Sequence, residues 1–399
     1  MKPLHGLTVL DLSSNIAGPF ATLTLARLGA RIIKVERPAG DPSRQWAPMV
    51  NGVSLVFDAL NRGKESVGVD IAASEGRDIV VQLIERSDVL IHNFTPKVAG
   101  KLRLEEAQVK EANPDIIYTT IGAFGAGEFG ARLPGYDGVA QAFAGIMEMT
   151  GAPESPPTRC APAVIDMGTG QWVVIAVMAA VMSKQRGEPV HHLEASLVDT
   201  AVGLVPYQAT EALLSGKRPP KYGTGSPLGA PHEVFPTRDR SLFIGAPSEN
   251  LWRSVVQALE APELLEDPRF RTGSDRLHNV ESLRAALIDR LSERPASEWY
   301  ERFVEAGVPT AEVLGLEETV VHPLAKERRW FEELHDGPPI VRMPVLADGN
   351  LVSSSRGSPR LGEHTCAVLD ELGIGQRGLA DLIGRGVLVS ADAGSGPGK

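Results

Sequence analysis

Apolar positions in the first half of the chain fall into short continuous runs separated by longer stretches that repeat about every 3.6 residues. Leu7 to Leu12 and Ala30 to Val35 read as buried strands, and the segment from Gly18-Pro19 to about Leu28 reads as the helix between them. Pro19 suits a first helical position, where the missing N–H costs nothing, and Gly29 suits the residue just past the helix end. The pattern then recurs: Gly76 to Ser87 predicts a helix, Val89 to Ile91 a strand, Leu104 to Ala112 a helix and Ile116 to Gly122 a strand. Such alternation predicts an α/β fold with a mostly parallel sheet and helices on both faces.

Glycine and proline punctuate the middle of the chain. Residues 125–135 and 151–162 read as loops that bracket a helical segment, Val139 to Met149. A long helix is expected from just after Asp166 to near Gly187, and another from about Ala195 to Leu214. The Gly/Pro-rich stretch from Gly216 to Pro231 then reads as a linker. Beyond it, Ser241 to Ile244 predicts a strand, and helices are expected around Asn250 to Leu259, Val280 to Leu291 and Ala296 to Ala306. The terminal Gly394-Ser-Gly-Pro-Gly-Lys399 has the composition of a disordered tail. No internal repeat at a fixed period stands out.

Composition narrows the function classes. The chain has 399 residues, 43% hydrophobic and 23% charged, enough for two domains with sizeable cores. A formal net charge of −10 without a Lys/Arg run argues against a nucleic-acid partner. It leaves room for one phosphate-bearing ligand held by a few local cations and backbone N–H groups. Two cysteines, Cys160 and Cys366, without CxxC or ligand-spaced histidines, point to neither a disulfide framework nor a metal site. The nine histidines form no HxxxH and no hydrolase signature. The N-terminus lacks a signal-peptide core, and the longest apolar run, Trp172 to Met182, is too short to span a bilayer, so a cytoplasmic protein outside the membrane is expected.

The candidate chemistry centres on Asp166. Ala163-Val-Ile-Asp166-Met167-Gly168-Thr169-Gly170 delivers a carboxylate to the start of a helix. One reading is a simple N-cap, worth about 1 kcal/mol of helix stability. The other is a nucleophile kept ionised by the helix terminus, beside N–H groups able to hold an oxyanion, with Gly168 and Gly170 admitting a ligand to the backbone. A carboxylate nucleophile suits acyl transfer between acids, because the anhydride it forms retains the activation of a thioester. A nicotinamide-dependent dehydrogenase is a competing reading of the opening βαβ unit. Its first turn, Ser13-Ser14-Asn15-Ile16-Ala17-Gly18, lacks GxGxxG, and the literal match at Gly125 to Gly130 runs into Pro134-Gly135 instead of a helix. A third glycine loop, Gly223, Gly225 and Gly229, reads equally as a hinge or a substrate lid.

Taken together, several segments resemble the class III CoA-transferase family, the group that includes formyl-CoA transferase, the carnitine CoA-transferases and α-methylacyl-CoA racemase. They are Leu10-Asp-Leu-Ser, Ala17-Gly18-Pro19, Leu28 to Pro38 with Gly40-Asp41, Leu60-Asn61-Arg-Gly-Lys64, Asn93-Phe94, Gly135-Tyr136-Asp137, Asp166 to Gly170 and Ala306-Gly-Val-Pro309. The resemblance spans nearly the whole chain. It implies that Asp166 is the nucleophile, passing through an acyl-aspartyl anhydride and an aspartyl-CoA thioester. It implies coenzyme A contacts at Ser14, Ala17, Arg37, Val69, Ala72, Asn93, Phe94 and Lys101, with acyl-CoA and a small or dicarboxylic acid as substrates and no permanently bound cofactor or metal. Relative to formyl-CoA transferase the sequence departs at Ile16 for Gln, Ala72 for Lys and Lys101 for Arg. Racemases of the family carry a His-Asp pair where Tyr136-Asp137 stands, and a Tyr with an ordinary pKa near 10 is a poor base at neutral pH, which favours transfer over racemisation. Tyr136, Asp137 and Gly168 are the expected supporting residues.

The architecture implied by the resemblance is a Rossmann-like large domain with a parallel sheet plus a smaller α+β domain, in an interlocked homodimer. The expected layout is a large domain over 1–200 completed by 323–390, a small domain over 222–315, linkers over 201–221 and 316–322, and a tail over 391–399.

Overall fold

The computed structural model describes residues 2–333, 338–352 and 356–391. It opens with strand β1 (Thr8–Asp11), helix α1 (Ala17–Arg27) and strand β2 (Arg31–Glu36). Helix α1 begins two residues before Pro19, which therefore stands third; any of the first four N–H groups lacks an intrahelical partner, so the proline is still harmless. Gly29 follows the helix at φ +105°, its N–H bonded to the Ala26 carbonyl, as a left-handed helix end requires. A short hairpin, β3 (Met49–Val50) with β4 (Val53–Ser54), leads into α2 (Leu55–Asn61), capped by the Ser54 side chain.

The alternation continues through β5 (Glu65–Val69), α3 (Ser74–Glu85), β6 (Val89–His92), α4 (Pro96–Leu102), α5 (Glu106–Ala112) and β7 (Ile117–Gly122). The helical segment expected over Val139 to Met149 is split into α6 (Asp137–Phe143) and α7 (Ile146–Met149) by Gly145 at φ +78°. Helix α8 (Val164–Gln185) starts before Asp166 instead of after it. The single helix expected from Ala195 to Leu214 is instead β8 (His192–Ser196), α9 (Leu197–Gly203) and α10 (Pro206–Ser215). The strand escapes its sequence pattern because His192, Glu194 and Ser196 break the apolar run; β8 lies at a sheet edge, where His192 and Glu194 meet solvent while Ser196 is buried.

Strands β5, β2, β1, β6, β7 and β8 lie side by side in that order, all parallel. A C-terminal strand, Leu388–Val389, closes the other edge antiparallel to β5, with Leu388 opposite Val69. Helices Thr365–Glu371 and Gln376–Gly384 pack beside it, so Val368, Leu369 and Leu379 join the core made by Leu10, Val35, Val67, Leu83 and Leu90.

The chain folds into two units, a large one formed by 1–144, 160–209 and 328–399, and a second formed by 145–159 with 210–327. Against the layout expected from sequence, the second unit takes in the loop 145–159 and all of 316–327, and much of the expected linker 201–221 is helical. The loop belongs there because the chain after α10 binds it: Gly223 N–H donates to the Gly151 carbonyl, and Lys221 Nζ donates to the Ser155 and Pro156 carbonyls. The second unit has a three-stranded antiparallel sheet, β9 (His232–Pro236), β10 (Ser241–Gly245) and β11 (Thr310–Glu312), with β10 in the centre. Helices Glu249–Ala258, Val280–Leu291 and Ala296–Glu305 cover it through Trp252, Leu287, Trp299 and Phe303. The expected tail falls, apart from Ala391, outside the described residues.

Helix α8 has 22 residues and contains an 18-residue window with a mean hydropathy of 1.7, long and apolar enough by composition to cross a bilayer. The uninterrupted apolar run is shorter because Thr169 and Gln171 break it on one side and Ser183 on the other. The buried face of the helix, including Ile165, Thr169, Gly170, Val173 and Val177, packs in the large unit, mainly on α1. Trp172, Ile175 and Met182 on the same helix are exposed.

Candidate active site

A cavity of about 320 Å³ opens at the carboxyl ends of β1, β2, β5 and β6, where open α/β sheets take their ligands. It is lined by Ser13 and Ser14 after β1, Lys34 to Glu36 at the end of β2 with Arg37 and Gly40 to Pro42 after it, Val69 to Ala72 at and after the end of β5, and Phe94 after β6. Five of the eight residues expected to meet coenzyme A line it: Ser14, Arg37, Val69, Ala72 and Phe94. The other three do not. Asn93 instead holds the first turn, accepting the Ser14 N–H at 3.1 Å and donating to the Ser14 carbonyl at 2.8 Å. Ala17 is buried at the start of α1, and Lys101 is exposed in the last turn of α4 beside Leu102, which does line the cavity. Arg37 is exposed at the rim, with Nε donating to the Gly40 carbonyl at 3.0 Å.

Phe94 is fixed from below. Its N–H donates to His92 Nδ1 at 3.2 Å, and its ring stacks on the His92 ring at 5.3 Å. Because Nδ1 accepts, Nε2 carries the proton and donates to the Tyr118 hydroxyl at 2.7 Å, which donates in turn to the Leu104 carbonyl. Burial, with a smaller push from His192, holds His92 down to about 4, so the ring is neutral. Burial likewise raises the Tyr118 hydroxyl above its ordinary range.

The first turn rests on buried ionic groups. Asp11 accepts from Ser13, Thr22 and Lys64, the last at 3.1 Å, with both charged side chains fully buried. Burial alone would push the Asp11 carboxyl up, but Lys64, Lys34 and the Ser13 and Thr22 hydrogen bonds outweigh it and hold it below the usual carboxylate range. Burial lowers Lys64 to about 8 despite Asp11. Lys34 donates to the Ser13 carbonyl and to Asp41 Oδ2, each at 2.9 Å. Sequence alone assigned no role to Lys34 or Asp41; the signal was a lysine inside the otherwise apolar β2 run, Ile32-Ile33-Lys34-Val35.

Asp166 is half-buried at the third position of α8. It is not the N-cap: Ala163 holds that place, without a side-chain cap. The capping carboxylate is Asp137, whose Oδ2 accepts the N–H groups of Ile165 at 2.9 Å and Asp166 at 3.2 Å. Val164 N–H donates to the Pro162 carbonyl and Met167 N–H to the Ala163 carbonyl. Every N–H of the first turn therefore has a partner, which corrects the expectation that they stand ready for an oxyanion. Asp137 Oδ1 accepts from Gln141 Nε2 at 2.6 Å, and Gln141 Oε1 accepts the Cys160 N–H at 2.9 Å, so one buried chain of bonds ties α6, α8 and the loop before α8. Tyr136 is 71% exposed and holds the N-cap position of α6 without a side-chain cap.

The two glycines after Asp166 both lie against neighbouring elements. A Cβ on Gly170 would sit 2.7 Å from the Ala17 carbonyl oxygen and 2.9 Å from Phe20, and one on Gly168 would sit 3.2 Å from Thr200. Gly170 thus lets α8 touch the start of α1, the helix that leaves the cavity's first turn. The glycines of the third loop lie in the second unit. Gly223 has φ +64°, Gly225 N–H bonds the Tyr222 carbonyl, and a Cβ on Gly229 would collide with Pro247 at 2.4 Å. No group of three or more potential metal ligands occurs among the described residues.

The large unit is a parallel α/β unit with a ligand-sized cavity at its strand ends, an arrangement that many classes of enzyme share. Comparison with known proteins makes the class specific: residues 4–365 match the model for CoA-transferase family III, and the chain belongs to that family. The acetyl-CoA:oxalate CoA-transferase of Acetobacter aceti is 33% identical over 372 residues, covering 92% of this chain and 95% of the relative. The human succinyl-CoA:glutarate CoA-transferase is 31% identical over 97% of this chain and 90% of its own. A CaiB/BaiF family protein from Brucella suis superposes with a TM-score of 0.84 at 34% identity, over 93% of this chain and 99% of that one. The chain is a family III CoA-transferase, an enzyme acting on CoA thioesters.

Proposed function

We propose that this enzyme moves coenzyme A from an acyl-CoA donor to a small dicarboxylic acid through covalent intermediates on Asp166. The Asp166 carboxylate attacks the thioester carbonyl, forming the acyl-aspartyl anhydride and releasing CoA thiolate. The thiolate then attacks the Asp166 carbonyl, expelling the donor acid and leaving an aspartyl-CoA thioester. The acceptor carboxylate displaces the thiolate to form a second anhydride, and the thiolate takes the acceptor's acyl group, restoring Asp166. The observation that carries this reading is Asp166 itself, fixed by Asp137 at the start of a helix that packs on α1.

Support for a dicarboxylic acceptor comes from relatives named for oxalate, glutarate and mesaconate. Coenzyme A would lie in the cavity against Ser14, Val69, Ala72 and Phe94, with Arg37 offered to its phosphates. Asn93 would keep the turn in shape, and Ala17 and Lys101 would border the ligand. Gly223, Gly225 and Gly229 would shape the acceptor loop. Tyr136 and Gly168 would act beside Asp166. A cytoplasmic homodimer completes the reading, and the exposed Trp172, Ile175 and Met182 on α8 are the apolar surface a second copy would cover.

Incubation with acyl-CoA followed by hydroxylamine, read by peptide mass spectrometry, should convert Asp166 to a hydroxamate. An unmodified Asp166 under turnover would sink the proposal. Deuterium entering the α-carbon of the acyl-CoA without an acceptor acid would point to racemisation instead.

A further inference from the structure

Two walls of the cavity come from different strand ends: Ser13 and Ser14 after β1, and Gly40, Asp41 and Pro42 after β2. Only a few side chains join them. Lys34 Nζ donates to the Ser13 carbonyl and to Asp41 Oδ2, each at 2.9 Å, and both side chains of the pair are 1% exposed. The other oxygen of Asp41 accepts from the Ser43 N–H and hydroxyl at 2.9 and 2.7 Å and from the Asn15 N–H at 3.5 Å. Asn15 sits at φ +70°, a conformation that needs support from its surroundings. The Asp41 N–H in turn donates to Glu36 Oε2, and Glu36 is held by Arg44 and Ser66.

A buried ion pair is a poor source of stability, since apolar side chains of similar volume commonly do as well. What such a pair supplies is direction: charge-assisted bonds fix distances that apolar packing leaves loose. Lys34 spends its bonds on a backbone carbonyl in one wall and a carboxylate in the other, so the separation of the walls follows from its length. Burial lowers the Lys34 pKa, but Asp11, Asp41 and Glu36 raise it more, so the ammonium stays charged.

We infer that the Lys34–Asp41 pair positions the two walls of the cavity and so sets its affinity for the CoA part of the donor, without touching the reacting atoms. This rests on the reading that coenzyme A occupies the cavity.

The test is the double variant Lys34→Met/Asp41→Asn, in which Asn retains an acceptor for Ser43 and no buried charge is left alone. Calorimetry with CoA on the wild-type enzyme comes first: no binding there would fail the reading beneath the inference, separately from the inference itself. Given wild-type binding, the double variant should keep its circular dichroism and melting temperature. Its Kd for CoA and KM for acyl-CoA should rise roughly tenfold or more, with kcat and the acceptor KM within about twofold. A merely structural role would lower stability and spread the loss over both substrates. Asp41→Asn alone carries the same expectation at roughly threefold and decides the matter if the double variant does not fold. A CoA Kd indistinguishable from wild type, or a fall in kcat at unchanged KM, overturns the inference.

Discussion

Asp137 Oδ2 accepts the backbone N–H of Asp166 at 3.2 Å, so one carboxylate fixes the helix turn that carries another. The same oxygen takes the Ile165 N–H, while its partner oxygen takes the Gln141 amide.

Asp137→Ala would leave two N–H groups of the α8 terminus without their acceptor, at a cost of roughly 2 to 4 kcal/mol. Asp137→Asn should cost only about 1 kcal/mol, because its one oxygen can serve either the helix or Gln141 but not both. Gln141 cannot flip to compensate without losing the Cys160 N–H. Urea unfolding of both variants, with kcat falling in the same order, checks this ranking.

Gly170→Ala places a methyl 2.7 Å from the Ala17 carbonyl, backbone that cannot swing aside. The expected loss is roughly 1 to 3 kcal/mol, seen as a lower urea midpoint. The displaced α1 should also weaken CoA binding, which calorimetry would register.

His92 gives the enzyme an acid-labile support under Phe94. Its folded pKa is about 4 against an ordinary 6.5. Above about pH 6.5 neither state binds the proton and the stabilisation is whole; as pH falls toward 4 the unfolded chain alone takes it up, and roughly 3 kcal/mol is lost. His92→Asn keeps an acceptor for the Phe94 N–H and removes the titration. Its stability difference from wild type in urea should shrink between neutral pH and roughly pH 4.5. An unchanged difference would show that His92 does not titrate this way.

Arg37→Ala should raise the KM for acyl-CoA by roughly tenfold and leave kcat within about twofold, since the residue is exposed at the rim and far from the acyl chemistry in role. Added salt should narrow the gap between variant and wild type, as expected for an exposed cation on phosphate.

The parallel sheet was readable from sequence because β1, β2, β6 and β7 are apolar runs separated by helix-period segments. Strand β8 was not, since an edge strand tolerates His192 and Glu194 that a central one would bury. The cavity residues after each strand were legible through resemblance, yet the side chains that hold them were not. Lys34 and Asp41 are seven residues apart and Asn93 is far from Ser14, so their bonds exist only once the strands are side by side. Asp166 looked like a cap because a carboxylate opening a helix commonly is one. The true cap, Asp137, comes from another helix, which no local pattern reveals.

The antiparallel pairing of Leu388 with Val69 has a consequence for how the enzyme is made. While the ribosome is still translating the second unit, β5 has emerged but its outer neighbour has not been synthesised. Its unpaired backbone is then an open template for any passing strand, including another nascent copy of the same chain. A product that stops short of Leu388 would keep that edge of β5 open and be prone to aggregate.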